Sequence, residues 1–150
     1  MRVLVVNAGS SGLKLSVVGA GERVEWSRVI PVQDQVWDER EVERALAEVG
    51  VVDAVGHRVV HGGGELTGPV RLDARVMVRL RDLGSLAPLH QPRSLAGIEV
   101  VERVLPEVPA VACGEGEISA EGSRVRTWVV RAREDVEIVR GVRGVRWVLG

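Results

Sequence analysis

A stretch near the start of the chain, Asn7-Ala8-Gly9-Ser10-Ser11-Gly12-Leu13-Lys14, combines residue types that suit an anion. Small residues let backbone N–H groups turn inward and approach a phosphate closely. Ser10 and Ser11 add hydroxyl donors, and the Asn7 carbonyl can reach Mg²⁺ directly or through water. Lys14 supplies the charge. Among 20 basic residues it is the one lysine, and all the others are arginine. Such a bias is what a coding preference produces when Lys gives way to Arg wherever either will serve. A surviving Lys then marks a place that needs a compact charge on a thin stem and not a planar fork. The competing reading is a polar tight turn of the kind any hairpin requires.

A second constellation is Gly56-His57-Arg58-Val59-Val60-His61-Gly62-Gly63-Gly64. Arg58 lies between apolar residues at the end of a strand, before a glycine run. That places a guanidinium at the sheet edge, suited to a carboxylate or phosphate held bidentately. Val60 shares its face by the period of two. A cation beside a small apolar surface describes a short carboxylic acid. The alternative is a half-exposed Arg on an edge strand. His57 and His61 have the spacing of a zinc pair on a helix, but a strand followed by glycines does not present it. In Leu86-Ala87-Pro88-Leu89-His90-Gln91-Pro92, two prolines stiffen a loop that is either a pocket wall or a helix entry. Cys113, at the end of an apolar strand, reads as an inert buried thiol.

The elements that must position these residues follow from periodicity and punctuation. Strands are expected over Met1–Val6, Leu13–Val18 and Arg23–Ile30, the last stopped by Pro31. Asp38 caps a helix to about Val49 with Val42, Leu46 and Val49 on one face. A fourth strand covers Asp53–Val60. Asp73 caps a helix in which Val76, Leu80 and Leu83 share a face, and Gly84 stops it. Pro92 suits the first turn of a helix reaching about Val104. Val108–Cys113 is a fifth strand, Gly114 to Glu117 a break, Arg124–Val130 a further strand, and Arg131 onward a helix. Gly141 to Gly150 reads as a frayed tail. A meander followed by crossover helices is α/β with a mixed sheet. A dinucleotide fold would alternate strand and helix from the start, and neither its glycine fingerprint nor a P-loop occurs.

The chain has 150 residues, 45% hydrophobic and 27% charged, with a net charge of −1. This excludes disordered and fibrous classes. Apolar runs fall short of a membrane span. Aromatic residues are 3%, all Trp, and no basic block stands out, so neither nucleic acid nor membrane is an expected partner. A single cysteine and the lack of an apolar leader lead to a cytoplasmic expectation.

Three ordered motifs resemble the acetate kinase family of acyl-phosphate kinases: M-R-V-L-V-V-N-A-G-S-S-G-L-K, V-G-H-R-V-V-H-G-G and L-A-P-L-H-Q-P. I-S-A-E-G-S-R-V-R-T-W-V-V-R-A-R-E-D-V-E-I-V-R resembles that family's C-terminal strand and helix. The resemblance implies a single actin/hexokinase/Hsp70-like (ribonuclease H-like) lobe. It further implies Mg²⁺-dependent phosphoryl transfer between ATP and acetate or another short carboxylate, giving ADP and acetyl phosphate. By position, Asn7 and Glu134 match Mg²⁺-associated residues, and Lys14 and Ser10 match the ATP-phosphate contacts. Arg58 matches the carboxylate-binding arginine, and Val60 and Leu89 match walls of the methyl pocket. Gly12 stands where a serine is usual, so one hydroxyl donor is lost.

The family's chains are well over twice this length, and after a strand like Val108–Ala112 they continue Phe-Asp-Thr-Ala-Phe-His. Here Cys113 leads to Gly114 and then to the C-terminal motif, so no catalytic residue of the family's middle region is retained. The implied organisation is an N-terminal lobe at 1–113, a junction at 114–117 where the second lobe is missing, a completing strand and helix at 118–140, and a tail at 141–150. Two functional readings stay open. One is an acetate kinase-type enzyme. The other is an inactive lobe, or half of a split enzyme with its complementary lobe on another chain, that binds a small anion. The family is homodimeric through the absent region, so a monomer is expected.

Overall fold

A computed structural model of the chain describes residues 1–9, 11–33, 36–59, 68–86, 91–114 and 134–145. The strands are β1 (Val3–Ala8), β2 (Gly12–Val18), β3 (Val24–Pro31), β4 (Ala54–Val59), β5 (Val70–Arg71) and β6 (Ala110–Gly114). The helices are α1 (Glu39–Glu48), α2 (Ala74–Asp82), α3 (Gln91–Val104) and α4 (Glu134–Gly144). Among the described residues these six strands form one mixed sheet in the order β3-β2-β1-β4-β6-β5. β1, β4 and β6 run parallel, while β2, β3 and β5 pair antiparallel with their neighbours. The architecture is α/β around a mixed sheet, as the element order predicts, and it forms the single lobe that the family resemblance implies.

Period-two alternation divides the core. Leu4, Val6, Leu13, Leu15 and Val17 face α1 and α3 together with Val42, Leu46 and Val101. Val3, Val5, Val18 and Ala54 face α4 and pack on Ile138, Val139 and Val142. Both faces of β1 are therefore buried, which is why its sequence is a continuous apolar run and not an alternating one. Both predicted caps are present. The Asp38 carboxylate accepts from Arg40 N at 2.9 Å and the Asp73 carboxylate from Val76 N at 2.8 Å. They satisfy helix N–H groups that have no partner within the helix.

Four expectations need correction. β5 was not anticipated: two residues carry no periodicity, and only pairing with β6 makes them a strand. β4 is not an edge strand but lies between β1 and β6. The buried stripe of α2 runs through Met77 and Leu80, with Val76 and Leu83 only half-buried. α4 continues to Gly144, into the stretch read as a tail, because Val142 is fully buried against the sheet. The strand expected over Arg124–Val130 lies outside the described residues.

Candidate functional site

The hairpin between β1 and β2 pairs Asn7 with Lys14. Directly opposed residues project from the same face of a sheet. On β1's other side, Val6 pairs with His57 of β4, which sets Arg58 beside Asn7. Arg58 Nη1 donates to Asn7 Oδ1 at 3.4 Å. Val3 and Val5 on β1, and Ala54 on β4, face α4. By alternation Asn7, Lys14 and Arg58 leave that same face. Asn7 and Arg58 are half-buried and Lys14 is exposed. All three stand at the carboxyl ends of the parallel strands β1 and β4 or beside them. In an open α/β sheet that is where ligands bind.

Two helices begin at this end of the sheet. The far end of α4 is tied to the opposite end of these strands, where Arg143 Nη2 donates to the carbonyls of Met1 and Gly19. Its first residue, Glu134, therefore lies at the end occupied by Asn7 and Arg58. At the start of α3, Arg93 Nη1 donates to the Gly9 carbonyl at 3.4 Å. The hairpin tip is closed by Gly9 N donating to Gly12 O at 2.9 Å. Sequence reasoning missed Arg93. Its one signal was its place just after Pro92, and only the topology brings that helix start to the hairpin. Ser10, Val60 and Leu89 lie outside the described residues.

Gly12 has a structural reason. A Cβ there would lie 2.5 Å from the backbone oxygen of Ile30 on β3. Backbone cannot swing aside as a side-chain tip can, so β3 holds this position as glycine.

His57 and Arg58 are neighbours in sequence and separate in space. His57 projects to the opposite face and is 1% exposed. Burial lowers its pKa to about 3, because the imidazolium has no water to solvate it. The same cause pushes the Cys113 thiol up to about 12. That keeps it protonated, with its S–H directed at the Ile138 carbonyl. Among the described residues no group of three or more His, Cys, Asp or Glu could hold a metal ion. Among them, too, no helix is long and apolar enough to cross a membrane.

Fold and site together define an α/β lobe that gathers an amide, an ammonium and a guanidinium at the carboxyl ends of its parallel strands. The sequence pattern of the Acetokinase family matches residues 34–116, and the chain belongs to that family. It is 37% identical over 143 residues to an acetate kinase of Rhizobium meliloti, covering 74% of this chain and 36% of that protein. It is also 37% identical over 147 residues to an acetate kinase of Thermotoga maritima, covering 75% and 36%. Among solved structures it resembles a propionate kinase from Francisella tularensis subsp. tularensis SCHU S4. There the TM-score is 0.64 and the identity 25%, over 76% of this chain and 36% of that one. An acetate kinase of Porphyromonas gingivalis matches with a TM-score of 0.62 and 26% identity, over 76% and 37%. The chain thus spans about a third of the length of the relatives it matches.

Proposed function

We propose that this chain carries the carboxylate- and phosphate-binding face of an acetate kinase-type phosphotransferase. In that reaction an acetate oxygen attacks the γ-phosphorus of ATP in line, the bond to the bridging oxygen breaks, and acetyl phosphate and ADP result. The observation that carries the reading is the convergence of Asn7, Lys14 and Arg58 on one sheet face in a member of this family. Arg58 binds the carboxylate and offsets charge as nucleophile and phosphoryl group approach. Lys14 and the hairpin amides face phosphate oxygens, with Ser10 on the same loop. Val60 and Leu89 wall the methyl group. Asn7 Oδ1 and the Glu134 carboxylate are hard oxygen donors of the kind Mg²⁺ accepts, and the small donor set fits an ion held chiefly by phosphates and water. When bound, Mg²⁺ neutralises phosphate charge.

Phosphoryl transfer depends mostly on positioning and electrostatic stabilisation. A chain spanning 36% of its relatives supports a second reading: a lobe that binds small anions without turnover, or half of a split enzyme completed by another chain. Lys14 is exposed, and a charge contact made in water is screened. The expected affinity for acetate or phosphate is millimolar, about 4 kcal/mol, with no discrimination between adenine and guanine nucleotides. NMR titration with acetate and with phosphate tests the site. Shifts should centre on Asn7, Lys14 and Arg58, and Arg58→Ala should lose acetate binding while keeping the native spectrum. Shifts confined to distant residues would refute the site, and unfolding of the variant would make Arg58 structural. A coupled assay for acetyl phosphate on the purified chain separates the two readings: robust turnover favours the enzyme, and binding without turnover the second.

A further inference from the structure

On the sheet face opposite Arg58, a cleft of ≈ 640 Å³ opens between α2, α3 and the strands β4 to β6. That volume lies in the range of small-molecule sites and exceeds what one or two waters fill. Met77, Ile98 and Ala110 give it an apolar wall. His57 also lines it, and among the described residues its Nδ1 is buried without a hydrogen-bond partner. Buried polar atoms are nearly always paired, so an orphan nitrogen sealed just behind the wall of an open cleft marks a place that an incoming partner satisfies once the ring turns out to meet it. The imidazole is neutral near pH 7 and offers one N–H and one lone pair. A hydroxyl can answer either, accepting from the first or donating to the second. Arg71, Arg81, Asp73, Glu102 and Glu107, all exposed, also line the cleft, and Arg81 is already paired with Glu99 at 2.9 Å. Such a rim favours neither an anion nor a cation.

We infer that this cleft binds a small uncharged molecule with one hydroxyl group and a ring-sized apolar body. The hydroxyl meets His57 Nδ1 and the body lies against Met77 and Ile98. The site is separate from the anion-binding face and does not depend on the reading of it. Two probes that differ by the hydroxyl, 4-methylphenol and toluene, test it on the full chain. The signals followed are the Met77 and Ile98 methyl groups and the His57 ring nitrogens, by NMR. 4-Methylphenol should saturate these shifts with a dissociation constant on the order of 1 mM, as a ligand of few atoms allows. Toluene should bind roughly tenfold more weakly, because one net hydrogen bond is worth about that factor. In His57→Phe the two probes should bind alike. Equal affinities in the unaltered protein would overturn the inference. So would an absence of methyl shifts up to the solubility of 4-methylphenol, or methyl shifts without any change at the His57 nitrogens. The comparison of probes on the unaltered protein decides on its own if the variant fails to fold.

Discussion

Gly56 is the position where one added methyl group should be felt most. It lies inside β4 beneath α4, and a Cβ there would stand 2.5 Å from Ile138 Cγ2 and 2.8 Å from Val142 Cγ2. Both neighbours are β-branched, and in a helix such side chains keep essentially one χ1 rotamer. They cannot turn away, so in Gly56→Ala the helix itself must lift. Overpacking of this kind costs about 1–3 kcal/mol. Loss of glycine's freedom in the unfolded chain returns about 0.4–1 kcal/mol. The net expectation is a destabilisation of about 1–2 kcal/mol, a fall in melting temperature of about 3–6 °C for a chain of this size. The lifted helix also provides a local readout. Cys113 is buried against α4, with a Gly141 Cβ only 3.2 Å from its sulfur were one present, and its thiol is protonated. An aromatic disulfide reagent reaches it only when α4 opens, so its rate should rise about 5–30-fold in the variant, in step with the stability loss. Unchanged stability together with an unchanged Cys113 rate would refute this account of α4 packing.

Two further outcomes follow from buried or capping groups. Asp73→Ala removes the acceptor for Val76 N and should cost about 1 kcal/mol in a urea titration, whereas Asp73→Asn, which keeps a capping oxygen, should cost much less. The folded-state pKa of His57 lies below its unfolded value, so its contribution to stability is fully present above about pH 6.5 and lost as pH falls toward 3. The unfolded chain then binds the extra proton, and unfolding free energy should fall by up to about 1.4 kcal/mol per pH unit across that window. Between about pH 6.5 and 5, above the range in which carboxylates titrate, His57→Leu should remove this slope whatever its own stability, and a slope that persists there would place the titration elsewhere.

The residue pattern alone was enough for the meander, the helix caps at Asp38 and Asp73 and the α/β class, because each rests on neighbours close in sequence. It also singled out Asn7, Lys14 and Arg58, since a lone lysine in a glycine-serine turn and an arginine ending an apolar strand are local signals. Which face each side chain takes was half legible. Alternation fixes relative parity within a strand, but the register between β1 and β4 is set by elements far apart in the chain.

What only the tertiary structure decided depends on contacts between distant segments. Arg93 joins the hairpin across 84 positions of sequence. β4 is central because β6 comes to lie beside it. Gly141 reads as a helix breaker in isolation, yet it sits inside α4, where a Cβ would stand 2.9 Å from Pro69 and leave no room for a larger residue. A sequence records helix propensity residue by residue. Close approach is a property of two surfaces, and the glycines at 12, 56 and 141 acquire their reason only when β3, α4 and Pro69 arrive against them.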